Sequence, residues 1–355
     1  MPDLQPRILG LGYFVPPNLR ANDDPIFDWI HEYLQKNPGV SNPFQGYNTR
    51  VVLGPGEDLM TMMAPAAMNA LEAANLQPTE IDMLLGYASV SPWANPNELS
   101  HLHQMLEMPQ STYVVPLNNE FSNFNAGLLF ADALIKAGRA RNILVVVGGN
   151  WTQHVDYRTL QSVSAADGAG AAVVGLSEDP TLWQVVDQNT VTDTSFFGSM
   201  FMEGQKYGQV PPRDGHQALW SEPFFQITVN GMKGFGQFGG GLAPTAVTEL
   251  LARHNIEPKT WTLIAHQAST VLFDMWQSQL QPAQMIQTIA DFANMTIANI
   301  AVNFAWSVAN QPISQNNLVL FALSPDMHAN ALLLQRGAAS GTQEVEESDE
   351  PELLE

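Results

Sequence analysis

Short apolar runs alternate with amphipathic segments along the chain, and their order predicts strands and helices in turn. An apolar run over 8–15 is closed by Pro16 and Pro17, which end a strand. Residues 57–75 open with two acidic residues and carry Met, Leu and Ala at helical spacing, so they predict a helix. Further strands are predicted over 81–86, 142–147 and 170–176, and further helices over 97–108, 122–137 and from 243. Alternation of this kind is typical of an α/β fold.

The second half of the chain repeats the plan of the first half. The segment 69–89 aligns with 248–269, and the apolar run 142–147 aligns with 317–322. A helix, a proline and a strand, followed later by an all-apolar strand, therefore occur twice in the same order. This order predicts two α/β halves related by duplication. Chance similarity between α/β segments is the alternative interpretation.

Composition narrows the class of protein. The chain has 355 residues, of which 45% are hydrophobic and 14% are charged, which is enough for a large core in two domains or one fused pair of halves. Its net charge of -21 argues against binding to nucleic acid or to anionic lipid. The absence of cysteine excludes disulfides, thiolate metal sites and a cysteine nucleophile. No apolar run predicts a signal peptide or a membrane helix, so we expect a soluble, cytoplasmic protein.

The end of the chain differs from the rest in charge. It holds the acidic residues Glu344, Glu346, Glu347, Asp349, Glu350, Glu352 and Glu355. No basic residue lies among them, and a run of like charges stays solvated. The sequence therefore predicts a disordered acidic tail over 341–355.

Two patterns resemble cofactor or metal motifs but lack the required geometry. His101 and His103 are two positions apart on a predicted helix, so they face different directions. Gly10 and Gly12 lack the third glycine and the following helix of a dinucleotide fingerprint. We therefore predict no metal site and no cofactor.

Three motifs together resemble the ketosynthase III family of the thiolase superfamily. They are DGAGAAVV at 167–174, LIAHQAS at 263–269 and ANMTIANIA at 293–301, and they occur in the order that the family has. The resemblance extends over roughly 8–335. It implies a five-layer α-β-α-β-α fold of two related halves, and a dimer through the N-terminal half.

The resemblance also implies a division of the chain and a type of chemistry. The two thiolase-like halves are expected over 1–178 and 179–340. Enzymes of the family take an acyl group from coenzyme A onto a cysteine. They then condense it with a malonyl thioester or transfer it to an alcohol or amine.

The resemblance places Phe121 where the family has its cysteine. A helix N-terminus there would lower the pKa of a thiol and bind an oxyanion, but a phenyl ring cannot attack a thioester. Ser122 is rotated by about 100° from that direction. It is either a nucleophile served by His266 or, as we favour, a capping or helix-surface hydroxyl. Glu120 is either a general base or, as we favour, a solvated or salt-bridged acid.

His266 and Asn294 match the family's other two catalytic positions. The resemblance implies that both donate hydrogen bonds to the carbonyl oxygen of a malonyl thioester, which stabilises the enolate left by decarboxylation. This chemistry needs two neutral donors that converge on one oxygen. Near the position of the missing cysteine, Asn119 and Phe124 are candidate substrate-binding residues.

Two departures from the family pattern bear on the substrate. The turn 324–328 contains no glycine, whereas the family has a glycine-rich loop beside its active site. Val40 and Phe44 stand where the family has a tryptophan and an arginine that clamp the adenine of coenzyme A. We therefore do not expect coenzyme A to bind in the usual manner. A thioester on a carrier protein would be less affected, although an acidic carrier would meet an acidic surface.

These observations predict a ketosynthase III-like protein that processes acyl or malonyl thioesters held on a carrier protein or on coenzyme A. The reaction would be acyl transfer or decarboxylation without a cysteine intermediate, in polyketide, fatty-acid-derived or other specialised-metabolite biosynthesis. The alternative is a catalytically silent subunit that pairs with a cysteine-containing homologue, and a third hypothesis is a non-catalytic binder of an acyl or aromatic ligand. His266 and Asn294 favour an enzyme, whereas Phe121 favours a silent partner.

Overall fold

The computed structural model describes residues 4–93, 95–202 and 224–337. The helices are α1 Asp28–Lys36, α2 Leu59–Ala73, α3 Leu99–Met105, α4 Asn123–Lys136, α5 Val229–Gly234, α6 Pro244–Arg253, α7 Thr270–Leu280, α8 Ile289–Phe292 and α9 Asn299–Asn310. The strands of the first half are β1 Gln5–Phe14, β2 Asn18–Ala21, β3 Thr49–Val52, β4 Met83–Ser89, β5 Tyr113–Pro116, β6 Asn142–Asn150 and β7 Asp167–Ser177. Those of the second half are β8 Gln184–Thr192, β9 Met200–Met202, β10 Phe225–Ile227, β11 Thr262–Ala265, β12 Gln284–Ile286, β13 Asn317–Leu323 and β14 His328–Gln335. The predicted acidic tail over 341–355 lies outside the described residues.

Two five-stranded sheets have the same internal order. The first runs β1-β7-β6-β4-β5 and the second runs β8-β14-β13-β11-β12. In each sheet the middle strand pairs in parallel with one neighbour and antiparallel with the other. The aligned sequence segments 142–147 and 317–322 lie in β6 and β13, the middle strand of each sheet. The predicted duplication of an α/β half is therefore confirmed.

Helices cover both faces of each sheet, which gives five layers. Along β6, the side chains of Leu144 and Val146 pack on the side of α2. Those of Val145 and Val147 pack on the opposite side, against α4 and α9. The second sheet lies beyond these two helices and is covered on its far side by α6 and α7. Burial on both faces explains why these strands are apolar at nearly every position.

The glycine-rich stretch before α6 forms a π-helix over Phe235–Leu242. Two carbonyls of this stretch are bound by α7. Trp276 Nε1 donates to the carbonyl of Gly239 at 2.8 Å, and Gln279 Nε2 donates to that of Gly240 at 2.9 Å. These partners lie far away in the sequence, so local composition does not reveal the helix.

The described part of the chain offers neither a membrane span nor a cluster of metal ligands. None of its helices is long and apolar enough to cross a membrane. Within the same residues, no group of three or more His, Asp or Glu side chains could hold a metal ion.

Candidate active site

The start of α4, the ends of β11 and β13, and the segment before α9 meet around two adjoining cavities. The inner chamber has a volume of about 30 Å³ and is bordered by Phe121, His266, Asn294, Ser324, Pro325 and Met327, with Thr296 and apolar side chains around the rest. The outer chamber has a volume of about 460 Å³ and is bordered by Tyr87, Trp93, Glu120, Phe197, Phe201 and Asp326. Both are bordered by Phe121, Trp151, Met200, Phe225, Thr296 and Pro325. The inner chamber has room for only one or two water molecules.

Main-chain hydrogen bonds place His266 and Asn294 beside the inner chamber. His266 follows β11, and its N–H donates to the carbonyl of Phe321 at 2.9 Å, which continues the pairing of β11 with β13. Asn294 follows α8, and its N–H donates to the carbonyl of Ser164 at 2.9 Å. Both residues are almost fully buried. The structure thus brings together the two residues that the sequence predicts as paired donors.

Asn299 connects these two side chains and was not identified from the sequence. Its Nδ2 lies 3.1 Å from His266 Nδ1 and donates to Asn294 Oδ1 at 2.7 Å. Its own Oδ1 accepts a hydrogen bond from the N–H of Met295 at 2.7 Å. Because an amide nitrogen can only donate, His266 Nδ1 acts as an acceptor and its proton lies on Nε2. The signal in the sequence is a second asparagine five positions after Asn294, one turn into the next helical segment.

The imidazole of His266 is neutral at ordinary pH. Burial lowers the pKa of His266 to about 3, against the smaller opposing effect of a hydrogen bond to the backbone of Thr296. The side chain of Asn294 accepts through Oδ1 from Asn299 and from the N–H of Thr296. Its Nδ2 is therefore the atom available to donate. A neutral imidazole and a carboxamide therefore lie side by side on the border of one chamber.

Phe121 lies against the imidazole of His266. It sits in the short 3₁₀ turn Glu120–Ser122 that leads into α4, and its ring is stacked on that of His266 with centroids 4.7 Å apart and planes 16° apart. The phenyl ring thereby covers one face of the imidazole, and it borders both chambers.

Glu120 faces the outer chamber rather than the paired donors. Burial raises the pKa of its carboxyl, the nearby charge of Asp326 raises it further, and His328 opposes both effects. Its side chain is nevertheless exposed within the cavity. Its backbone has a φ of 50°, a left-handed conformation that is uncommon outside glycine. The carboxyl group is thus held over the larger chamber, where it could act on a polar group of a ligand.

Ser122 is bound by a partner that the sequence does not predict. Its Oγ lies 2.7 Å from His328 Nε2 and 3.3 Å from Ser324 Oγ. The predicted pairing with His266 is therefore wrong, because the hydroxyl is directed toward the β13–β14 turn. The capping role is also wrong, since Ser122 precedes α4 but makes no side-chain hydrogen bond to its N–H groups.

His328 in turn contacts an acidic residue of the same turn. Its Nδ1 lies 2.7 Å from Asp326 Oδ1. Burial raises the pKa of Asp326, but the contact with His328 outweighs burial, so the pKa of this carboxyl is lowered overall. The glycine-free turn 324–328 therefore carries a serine and a histidine that contact Ser122 at the start of α4, and a carboxylate that contacts this histidine.

The remaining predicted residues lie away from the inner chamber. Phe124 is fully buried in the core between the sheets and borders neither chamber. Asn119 borders a third cavity of about 320 Å³, which Asp326 and His328 also border. Phe44 is buried against Phe235 and borders the inner chamber, whereas Val40 is partly exposed. Phe44 thus lies too deep to contact an adenine at the surface.

Solved structures similar to this chain show which fold it has. They include 3-oxoacyl-[acyl-carrier-protein] synthase III from Aquifex aeolicus, at 21% identity and a TM-score of 0.75, covering 93% of this chain and 99% of that one. They also include the priming β-ketosynthase of the R1128 polyketide pathway, at 20% identity and a TM-score of 0.79, covering 96% and 99%. Cerulenin-bound OleA of Xanthomonas campestris has 14% identity and a TM-score of 0.79, covering 94% and 98%. The chain therefore has the predicted thiolase-type α/β fold of two related halves.

Sequence comparison points to one family within that fold. The model of the 3-oxoacyl-[acyl-carrier-protein] synthase III family matches residues 116–194. Beta-ketoacyl-[acyl-carrier-protein] synthase III of Aquifex aeolicus is 24% identical over 337 residues, 93% of this chain and 99% of the relative. The enzyme of that name from Aliivibrio fischeri is 31% identical over 180 residues, 49% of this chain and 53% of the relative. The chain is thus similar in sequence to ketosynthase III enzymes over nearly its whole length.

Proposed function

We propose that this protein processes malonyl and acyl thioesters at the inner chamber, and that decarboxylation of a malonyl thioester is the reaction its geometry supports best. The observation that carries the proposal is the double hydrogen bond of Asn299, which orients His266 and Asn294 as neutral donors. Relatives that act on thioesters of the acyl carrier protein support the substrate class. Similarity to a polyketide priming enzyme supports a role in specialised-metabolite or fatty-acid-derived biosynthesis.

Decarboxylation of a malonyl thioester requires only that the thioester carbonyl is hydrogen-bonded and that the carboxylate is free to leave as carbon dioxide. His266 Nε2–H and Asn294 Nδ2–H donate to the thioester carbonyl oxygen. The bond between the α-carbon and the carboxylate breaks, carbon dioxide leaves, and the electron pair forms an enolate whose oxygen the two donors stabilise. Water from the outer chamber then protonates the α-carbon, which yields the acetyl thioester. No covalent intermediate is needed, which agrees with Phe121 at the start of α4.

Phe121 must move for the substrate to reach the donors. The inner chamber holds about 30 Å³, which is too small for a malonyl group, whereas the outer chamber of about 460 Å³ has room for a thioester arm. Rotation of the phenyl ring toward the outer chamber would join the two spaces. We propose that the thioester arrives on a carrier protein, because Phe44 is buried and offers no surface clamp for an adenine.

The test is the release of carbon dioxide and of free thiol from malonyl thioesters of coenzyme A, a carrier protein and N-acetylcysteamine. We expect carbon dioxide without an equal amount of thiol, and a loss of about 100-fold or more in His266→Ala, since one donor of such a pair contributes about that factor. His103→Ala removes a histidine on α3 that lies outside both chambers and serves as the matched control. Equal rates in the wild type and in His266→Ala would contradict the proposal.

The stacking of Phe121 on His266 favours a second candidate, a silent subunit of a heteromeric ketosynthase. In this case Phe121 does not move, the inner chamber stays closed to substrate, and a cysteine-containing homologue performs the chemistry. We would then expect no carbon dioxide from this chain alone. Size-exclusion chromatography with such a homologue would show a mixed dimer, and condensation by the mixture would exceed that of the homologue. A homodimer through the N-terminal half remains a prediction that the same experiment tests.

A further inference from the structure

Four side chains form a continuous chain of polar contacts across the wall of the inner chamber. Ser324 Oγ lies 3.3 Å from Ser122 Oγ, and Ser122 Oγ lies 2.7 Å from His328 Nε2. The other ring nitrogen, His328 Nδ1, lies 2.7 Å from Asp326 Oδ1. A hydroxyl, a second hydroxyl, an imidazole and a carboxylate thus follow one another, which is the order of groups that moves a proton away from a serine.

The two ends of this chain of contacts face different spaces. Ser324 borders the inner chamber together with His266 and Asn294. The side chain of Asp326 is 45% exposed and borders the outer chamber. Ser122 is 1% exposed and borders neither chamber, so it cannot meet a ligand directly. The hydroxyl that a ligand in the inner chamber can reach is that of Ser324.

The main chain holds these groups in place. The N–H of Ser324 donates to the carbonyl of His328 at 2.9 Å, and the N–H of Met327 donates to the carbonyl of Ser324 at 3.0 Å. His328 also begins β14 and is paired with Thr192 of β8. The turn is therefore anchored to the second sheet, and the position of His328 does not depend on Ser122 alone.

We propose that Ser324 Oγ accepts an acyl group from a thioester, with Ser122 passing its proton to His328. The inference rests on the proposed function in one respect, since His266 and Asn294 would hold the carbonyl oxygen of the same thioester. Ser324 is the catalytic residue. Ser122, His328 and Asp326 are positioning residues that act through it.

Ser324 Oγ bonds to the carbonyl carbon, while its proton moves to Ser122 Oγ and the proton of Ser122 moves to His328 Nε2. The carbon–sulfur bond breaks, the thiolate leaves with its electron pair, and the imidazolium of His328 is stabilised by Asp326. The products are an acyl ester of Ser324, a thiolate and one proton, which leaves through His328. The oxygens of Ser324 and Ser122 must approach each other for the transfer, because 3.3 Å exceeds the usual distance between hydroxyl groups.

The test uses the full chain and the N-acetylcysteamine thioester of acetic acid, which is small enough for a confined site. We expect intact mass spectrometry to show the gain of one acetyl group per chain, and peptide mapping to place it on Ser324. This readout on the wild-type protein needs no variant to fold. Absence of an adduct at saturating thioester, or an adduct at another residue, would overturn the inference.

Variants separate the relay from a merely structural role. Ser324→Ala should abolish the adduct, and Ser122→Ala should slow its formation by about 100-fold, the usual contribution of a positioned proton acceptor. Ser122→Thr keeps the hydroxyl and should restore the rate to within about tenfold of the wild type. Ser307→Ala, which removes an equally buried serine on α9, is the matched control and should acylate normally. Equal rates in Ser122→Ala and the wild type would refute the relay.

The inference and the proposed function fail in different ways. Carbon dioxide release from malonyl thioester without an acetyl adduct on Ser324 would refute the acyl-serine and leave decarboxylation standing. An adduct on Ser324 without carbon dioxide release would refute decarboxylation and support the acyl-serine. The two measurements therefore decide the two questions independently.

Discussion

Asn299 determines the state of both paired donors, although it does not border either chamber. One amide nitrogen fixes the tautomer of His266 and the orientation of the Asn294 amide at the same time. Without it, the His266 proton could move to Nδ1, and the amide of Asn294 could turn its oxygen toward the chamber. Either change would place an acceptor where the reaction needs a donor.

We therefore predict that Asn299→Ala lowers carbon dioxide release from malonyl thioester by about 10- to 100-fold, as outer-sphere partners of an imidazole often do. Nitrogen NMR of the imidazole should show the Nε2–H tautomer of His266 in the wild type and a mixture in the variant. Asn303→Ala removes a buried asparagine one turn further along α9, which contacts Gln267 and Thr288 instead. This control should keep the tautomer, and the same mixture in both variants would contradict the role of Asn299.

Phe121 is expected to limit access to the inner chamber. Phe121→Ala should raise the rate of carbon dioxide release by about tenfold, which corresponds to about 1.4 kcal/mol of ring displacement. It should also lower the free energy of unfolding by about 1–3 kcal/mol, less than for a fully buried phenylalanine, because Phe121 is half-buried. Steady-state rates and urea unfolding measure the two effects. Phe130→Ala on α4 truncates an exposed phenylalanine outside the two chambers and should change neither rate nor stability by much. A slower Phe121→Ala enzyme would show that the ring positions the substrate.

At the scale of the elements, two glycines allow α2 to pack directly on β1. A side chain at Gly12 would bring its Cβ within 2.3 Å of the carbonyl oxygen of Ala66 and the nitrogen of Ala70. At Gly10 the same atom would lie 2.3 Å from the carbonyl oxygen of Ala70. These neighbours are backbone atoms, which cannot rotate away from an added methyl group as a flexible side chain could. Gly10 and Gly12, which do not form a dinucleotide-binding motif, thus allow the close packing of α2 on β1.

We predict that Gly12→Ala lowers the free energy of unfolding by about 1–3 kcal/mol, because α2 must shift away from β1. Urea unfolding followed by circular dichroism measures the change. Gly39→Ala is the control, since nothing lies within 4 Å of the added methyl group. It should change stability by less than about 1 kcal/mol. Similar losses in the two variants would mean that close packing on α2 is not the cause.

The elements also show where sequence patterns are reliable. The helix predicted over 57–75 is observed over Leu59–Ala73, where Asp58 caps it through the N–H of Thr61. The strand predicted over 142–147 extends to Asn150. Both rest on periodicity within a short window, which local sequence contains. The π-helix Phe235–Leu242 depends on donors from α7, which no local window contains.

At the scale of the whole molecule, the burial of His266 couples stability to pH. Its pKa is lowered to about 3 in the folded chain, below the ordinary value of 6.5. The unfolded chain therefore binds a proton more readily between these two values. The stability that the neutral imidazole contributes is complete above about pH 6.5 and is lost as the pH falls toward 3.

We accordingly predict that the free energy of unfolding of the wild type falls more steeply between pH 6.5 and pH 5 than that of His266→Gln. The difference in slope should approach about 1.4 kcal/mol per pH unit, which is the linkage of one proton. Urea unfolding at several pH values measures both slopes on the same scale. Identical slopes would show that His266 takes up a proton without unfolding the chain.

The sequence by itself determined the architecture and the positions of three residues of the inner chamber. Periodicity and the internal repeat are properties of short segments, and they predict the two related halves. Ordered motifs likewise locate His266, Asn294 and Phe121 in the chain. These features need no knowledge of contacts between distant residues.

Only the tertiary structure decided how those residues are connected. Ser122 faces His328 rather than His266, and the two partners lie 206 positions apart in the chain. The same holds for the stacking of Phe121 on His266, two residues that lie far apart in the chain. A hydrogen bond or a ring contact between distant segments forms only when the layers of helices and sheets that carry them pack together. The pattern of residues in a short segment does not determine how the layers of helices and sheets pack on one another. The hydrogen-bond partner of a hydroxyl such as that of Ser122 is therefore known only from the tertiary structure.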